Sequence, residues 1–68
     1  MKTGQTIKRL RFERGMSIKG LSRLSGVHIS TISRIEHGKI KGSLGNYEGL
    51  AKGFGLKLSE LFAEVEKE

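Results

Sequence analysis

The sequence predicts an all-α fold of five short helices around one core, and three observations carry that reading. Apolar residues recur at helical spacing in five separate stretches. The chain holds ten glycines and no proline, and glycines stand where several of those stretches end. Alternating β-branched residues are nowhere sustained, so strands have no obvious place. With 68 residues and no cysteine, the chain is expected to form one domain over residues 1–68, near the lower size limit for folding without staples. Stability then has to come from tight helix packing, helped by oligomerisation.

The first helix is expected over residues 3–14, with Thr3 as N-cap, Ile7 and Leu10 on one face, and Gly15 as the stop. Phe12 lies off that stripe and finds no place in it. The second begins at Ser17, whose hydroxyl can hold a free amide, and Ile18, Leu21 and Leu24 repeat every third residue up to Gly26. The third covers about residues 29–36, with Ile32 and Ile35 inward and Gly38 ending it; Val27 covers the junction between the two. A loop rich in glycine and lysine leads to a fourth helix, from residue 43 or 44 to residue 54. Its expected inward set is Leu44, Tyr47, Leu50, Ala51 and Phe54, and the internal Gly49 and Gly53 should each cost on the order of 1 kcal/mol relative to alanine. The fifth, from residue 58 to about residue 66, carries Leu58, Leu61, Phe62 and Val65 at i, i+3, i+4 and i+7, ahead of a charged end (66–68) expected to fray.

Charge is segregated along the chain. Residues 1–41 carry ten Lys/Arg against Glu13 and Glu36, a net of +8, whereas residues 42–68 carry three Lys against five Glu, a net of −2. Such a basic segment attracts a polyanion by counterion release, nucleic acid being the common one, though a solvated basic surface has the same composition. An enzyme fits poorly: the chain has no aspartate, no cysteine, two histidines and no phosphate-cradling glycine motif. No metal or other cofactor is expected. No apolar run approaches the roughly 20 residues that span a bilayer, no signal-like apolar start follows Met1, and no helix couples a basic face to exposed aromatics. A cytoplasmic protein without membrane contact is the expectation.

The most informative stretch is SIKGLSRLSGVHISTISRIEHGK, from Ser17 onward. Two short helices separated by Gly26, Val27 and His28 must meet at a steep angle. Leu21 and Leu24 would face Ile32 and Ile35, with small Ser22 at the closest approach. This pattern, with IKRLRFERGMS before it and LAKGFGLKLSELF after it, resembles the Cro/C1 (Xre) family of helix-turn-helix regulators over almost the whole chain. The resemblance implies a compact five-helix lambda-repressor-like domain, its helix-turn-helix at helices two and three. It also implies binding to operator DNA as a transcriptional regulator, expected to be a repressor and a homodimer on a palindromic site. The sequence departs from the family pattern at four places. Ser22 and Gly53 replace alanines, Lys57 replaces a capping serine, and His28 stands where Ser or Thr usually caps the third helix.

In that geometry the third helix enters the major groove, with Ile29, Ser30, Thr31, Ser33 and Arg34 outward. The resemblance places base contacts at Ile29, Ser30 and Arg34. Arg34 either pairs bidentately with guanine or reaches a phosphate; Ile29 either meets a thymine methyl or packs on the turn. Backbone or supporting roles fall to Ser17, Ile18 and Lys19 at the start of the second helix, to His28, Thr31 and Ser33, and to Lys39 and Lys41 beyond the third. His28 is assigned to capping or a phosphate, and His37 to no specific role. Arg11 and Glu36 match positions that resemble a buried ion pair of structural purpose. Dimerisation would use the C-terminal helices through Phe62 or Val65, unless all four residues of that stripe belong to the core. The competing reading is an antitoxin or coregulator module whose main partner is another protein.

Overall fold

The computed structural model describes residues 2–68; Met1, the first residue of the expected domain, lies outside them. Among the described residues the chain forms α1 (Thr3–Glu13), α2 (Ile18–Ser25), α3 (Ile29–Glu36), α4 (Leu44–Gly53) and α5 (Leu58–Glu66), with no strand. Each helix sends at least one fully buried aliphatic side chain to a common core: Ile7, Leu21, Ile32, Leu50 and Leu61. α1 packs against α3 and α5, and α4 against α2 and α5, so the α2–α3 pair is braced from behind by both flanking helices. Among the described residues no helix is long and apolar enough to cross a membrane.

In α1 the buried stripe is Thr3, Thr6, Ile7, Leu10 and Arg11, at helical spacing. Thr3 therefore does not cap the helix as expected. It is the first helical residue, turned inward with Ile7 and Leu10, and its buried Oγ1 has no partner among the described residues. Lys2 holds the cap position without a side-chain capping bond, and the Thr6 hydroxyl donates back to the Lys2 carbonyl at 3.1 Å. Phe12 is exposed, with the Arg11 guanidinium 4.8 Å from its ring centroid.

Two expected core leucines are on the surface. Leu24 and Leu44 are each 61% exposed. At about 100° per residue, the step from Ile18 to Leu24 turns the side chain about 120° off the starting direction. The inward face of α2 is instead Ile18, Leu21, Ser22 and Ser25, at i, i+3, i+4 and i+7. Leu44, the first residue of α4, points about 70° away from the mean direction of Tyr47, Leu50, Ala51 and Phe54. The start of α4 is fixed by reciprocal capping: Ser43 Oγ accepts from the Asn46 amide at 3.1 Å, and Asn46 Oδ1 accepts from the Ser43 amide at 2.9 Å. α5 starts with half of that device, since Glu60 accepts from the Lys57 amide at 2.7 Å while Lys57 has no hydroxyl to return the bond. Leu61 is buried, and half-buried Phe62 lies edge-on to Tyr47, with ring centroids 5.9 Å apart. Val65 is half-buried.

The end of α5 is tied to α1 by one arginine. Arg9 donates to Glu68 at 2.6 Å, Glu64 at 2.9 Å and Glu13 at 3.1 Å, and Lys67 reaches Glu64 at 2.8 Å. Hydrogen bonds from Lys67 and Arg9 hold the Glu64 carboxyl below its ordinary range. A lowered folded-state pKa stabilises at pH above the unfolded value and is lost as pH falls through the folded one. Thermal unfolding of wild type and Glu64→Gln should thus differ by a constant margin near neutrality, with the wild type higher. The margin should close between about pH 5 and pH 2, and a margin independent of pH would contradict the assignment.

Candidate nucleic-acid interface

α2 and α3 are joined by three residues whose geometry is held by side chains as well as by the backbone. Ser17 Oγ accepts from the Gly20 amide at 2.9 Å, and the first backbone bond of α2 runs from Leu21 N–H to Ser17 O, so the Ile18 and Lys19 amides stay free at the helix start. Gly26 closes the helix at φ 73°, where a side chain would be strained, and its N–H donates to Ser22 O at 2.9 Å. The Ser22 hydroxyl donates to Val27 O at 2.6 Å, and Ser25 Oγ accepts from Val27 N–H at 3.1 Å. Ser22 is more than a small residue at a close approach: with Ser25 it clamps the turn. Buried Val27 then seals it against the core.

α3 buries Ile32 and Ile35 and turns its opposite side outward. Ile29 (43% exposed), Ser30 and Arg34 are all on the surface, and Thr31 and Ser33 are half-buried at the edges. In an ideal helix Ile29, Ser33, Ser30 and Arg34 fall within an arc of about 140°. The structure thus brings the three expected base-contacting residues onto one exposed surface. Lys39 and Lys41 are exposed just beyond, the Lys39 amide being anchored on Arg34 O at 2.8 Å. At the start of α2, Ser17 and Lys19 are exposed while Ile18 packs partly against the core. Phe62 and Val65 lie on α5, which packs on α4 and α1 and takes no part in this surface.

The two histidines terminate α3 with opposite hydrogen-bonding sense. His28 Nδ1 accepts from the Ser30 amide at 3.1 Å, serving as the N-cap. His37 Nδ1 lies 2.7 Å from Ser33 O, and a carbonyl oxygen only accepts, so here Nδ1 carries the proton and donates. An acceptor at the amide end and a donor at the carbonyl end are what the two helix termini lack.

Glu36, the only carboxylate of α3, is withdrawn from the surface. Its two oxygens accept from Arg11 Nε and Nη2, both at 2.9 Å, and its side chain is 3% exposed. Arg11 Nη1 donates further to Met16 O at 3.0 Å. The bonds to Glu36 raise the Arg11 pKa against the opposing effect of burial, so the arginine stays charged inside. The pair joins the last turn of α1 to the end of α3 and leaves the outward face of α3 free of negative charge.

The sequence has known relatives. A helix-turn-helix family model matches residues 7–61. The HTH-type transcriptional regulator PuuR of Escherichia coli K12 is 38% identical over 64 residues, which is 94% of this chain and 35% of that protein. PuuR of Shigella flexneri matches to the same extent. Control protein C.MunI of a Mycoplasma species is 38% identical over 66 residues, 96% of this chain and 89% of that protein. The chain thus spans about a third of the PuuR regulators and most of the control protein. With α2, the Gly26–His28 turn and α3 disposed as described, the chain belongs to the Cro/C1-type (Xre) helix-turn-helix family of DNA-binding regulators.

Proposed function

We propose that this chain binds double-stranded DNA in a sequence-specific manner, with α3 in the major groove, and regulates transcription by occupying an operator as a repressor. The observation that carries the reading is the outward face of α3: Ile29, Ser30 and Arg34 are exposed together, and the only carboxylate of that helix is turned inward onto Arg11. Arg34 has the planar fork that pairs with guanine O6 and N7, Ile29 has the surface that fits a thymine methyl, and Ser30 is a short polar group at the first turn. The free amides at Ile18 and Lys19, with the side chains of Lys19, Lys39 and Lys41, supply phosphate contacts on either side. His28, Thr31 and Ser33 support the reading helix. PuuR's name as a transcriptional regulator agrees with this role.

Homodimeric binding follows from length. The eight residues of α3 measure about 12 Å, three to four base steps, too few for useful selectivity. Two copies on half-sites about 34 Å apart would double the reading frame. With Phe62 engaged by Tyr47, Val65 is the freer of the two C-terminal candidates for a partner contact. A module devoted mainly to a protein partner would not need the net +8 of residues 1–41, nor Arg34, Lys39 and Lys41 exposed on and just beyond this helix.

Selection of bound duplexes from a random pool, followed by a salt titration, tests the reading. A palindromic consensus is the expected result, and no enrichment over random sequence would refute it. Arg34→Ala should cost about 1–3 kcal/mol at the preferred site and relax selectivity at one position per half-site. Lys41→Ala should weaken all sequences alike and flatten the salt slope by about one. Identical behaviour of the two variants would contradict the division of roles.

A further inference from the structure

We infer that His28 sets the polarity of the Ser30 hydroxyl, so that Ser30 meets DNA as an acceptor and selects a base with an exocyclic amine, adenine or cytosine. The inference rests on the proposed placement of α3 in the major groove and specifies what one side chain of that helix reads.

Two contacts to a single nitrogen carry it. The Ser30 amide reaches His28 Nδ1 at 3.1 Å, and Ser30 Oγ lies 2.8 Å from the same nitrogen. A backbone N–H has no role but donor, so in this arrangement Nδ1 holds a lone pair and the ring proton sits on Nε2. A nitrogen without a proton cannot donate to Oγ. The 2.8 Å contact therefore requires the serine hydrogen to point at the imidazole. A hydroxyl has one hydrogen and two lone pairs, and here the hydrogen is committed to His28 while the lone pairs remain at the exposed first turn of α3.

A serine free to rotate is permissive, giving its hydrogen to an acceptor or accepting from a donor as the base requires. Held by His28, it accepts only. In the major groove the donors are adenine N6 and cytosine N4, whereas guanine O6 and N7 and thymine O4 would place lone pair against lone pair. His28 thus acts as a positioning residue, converting an indifferent hydroxyl into a selective one without touching the base. A Ser or Thr cap at position 28 could still accept from the amide, but its own rotatable hydroxyl would not impose one polarity on Ser30.

The test combines an imidazole readout with site selection. Nitrogen-15 spectra of the free protein should show His28 with an unprotonated Nδ1 and a protonated Nε2, and His37 with the reverse. Duplex selection with Ser30→Ala identifies the base position that Ser30 reads, as the one whose preference disappears. At that position the wild type should favour A or C over G or T by roughly three- to tenfold, the weight of one net hydrogen bond. His28→Ala should flatten this preference and leave the positions read by Arg34 intact. His28→Asn, whose side-chain oxygen can accept both bonds, should restore it, and thermal unfolding of each variant keeps loss of the cap separate from loss of selectivity. A protonated His28 Nδ1, a preference for G or T, or an unchanged preference in His28→Ala overturns the inference while the DNA-binding role stands. Failure of the wild type to select any sequence overturns both, and so marks a different error.

Discussion

Replacing Arg11 with methionine should remove about 3–5 kcal/mol of unfolding free energy, the largest loss expected of any single substitution here. The mechanism is desolvation, not the worth of the ion pair itself. Glu36 is 3% exposed and both its oxygens are held by Arg11, so the truncated protein would keep a carboxylate in the interior with no partner. A domain of this length has a total stability of only about 3–10 kcal/mol, and the variant should be partly unfolded at ambient temperature. Glu36→Gln should cost less, because an amide is cheaper to bury and its oxygen can still accept from Arg11, which also keeps its bond to Met16 O. The double variant Arg11→Met, Glu36→Leu should recover most of the loss, since an apolar pair of similar volume is often neutral to stability. Urea unfolding of the four proteins checks the series. If Arg11→Met lost under 1 kcal/mol, water must reach Glu36. The pair anchors the end of α3, so DNA affinity should fall in proportion to the folded fraction, with the preferred site unchanged.

That pair was legible in the sequence only because the chain resembles a family; twenty-five residues separate Arg11 from Glu36, and no local pattern links them. The helices were legible from physics alone. Leu21, Ile32, Ile35, Leu50 and Leu61 occupy positions that a 3.6-residue period turns inward, and glycines mark the ends. Apolarity and burial part company on α2. On α2 the inward positions beside Leu21 belong to Ser22 and Ser25, whose hydroxyls serve the turn, while Leu24 faces water. The i, i+3, i+4, i+7 template, unlike the three-residue repeat, places Ser22 and Ser25 on the face of Ile18 and Leu21. Residue type suggests a cap at Thr3, yet its register with Ile7 and Leu10 decides its place. The exposed set Ile29, Ser30 and Arg34 needed only the register of Ile32 and Ile35. The constraint of His28 on Ser30 depends on a side-chain rotamer and no spacing rule predicts it.

The glycines of α4 should respond to alanine with opposite signs. Gly45→Ala is expected to stabilise the protein by about 0.5–1 kcal/mol, because helical glycine is penalised and the only nearby atom, Ser43 Oγ, would lie 3.7 Å from the new carbon. Gly49→Ala should destabilise it by about 1–3 kcal/mol despite the same gain in helix propensity. There the added carbon would stand 2.6 Å from the Ser25 carbonyl oxygen and 3.2 Å from Val27 Cγ2, and a carbonyl in the last residue of α2 cannot swing aside like a flexible side chain. Gly53 is intermediate, with Leu21 Cδ1 at 3.1 Å and the Ser25 amide nitrogen at 3.2 Å. Gly49 and Gly53 therefore let α4 lie directly against the end of α2. The consequence extends to DNA. Relief of the Gly49→Ala collision has to move Ser25 or Val27, the residues that fix how the chain enters α3. Its operator affinity should drop further than unfolding alone accounts for, whereas Gly45→Ala should bind as the wild type does. Calorimetric melting paired with titration of the selected operator separates the two effects. Equal stabilities for Gly45→Ala and Gly49→Ala would show that α4 is not pressed against the turn.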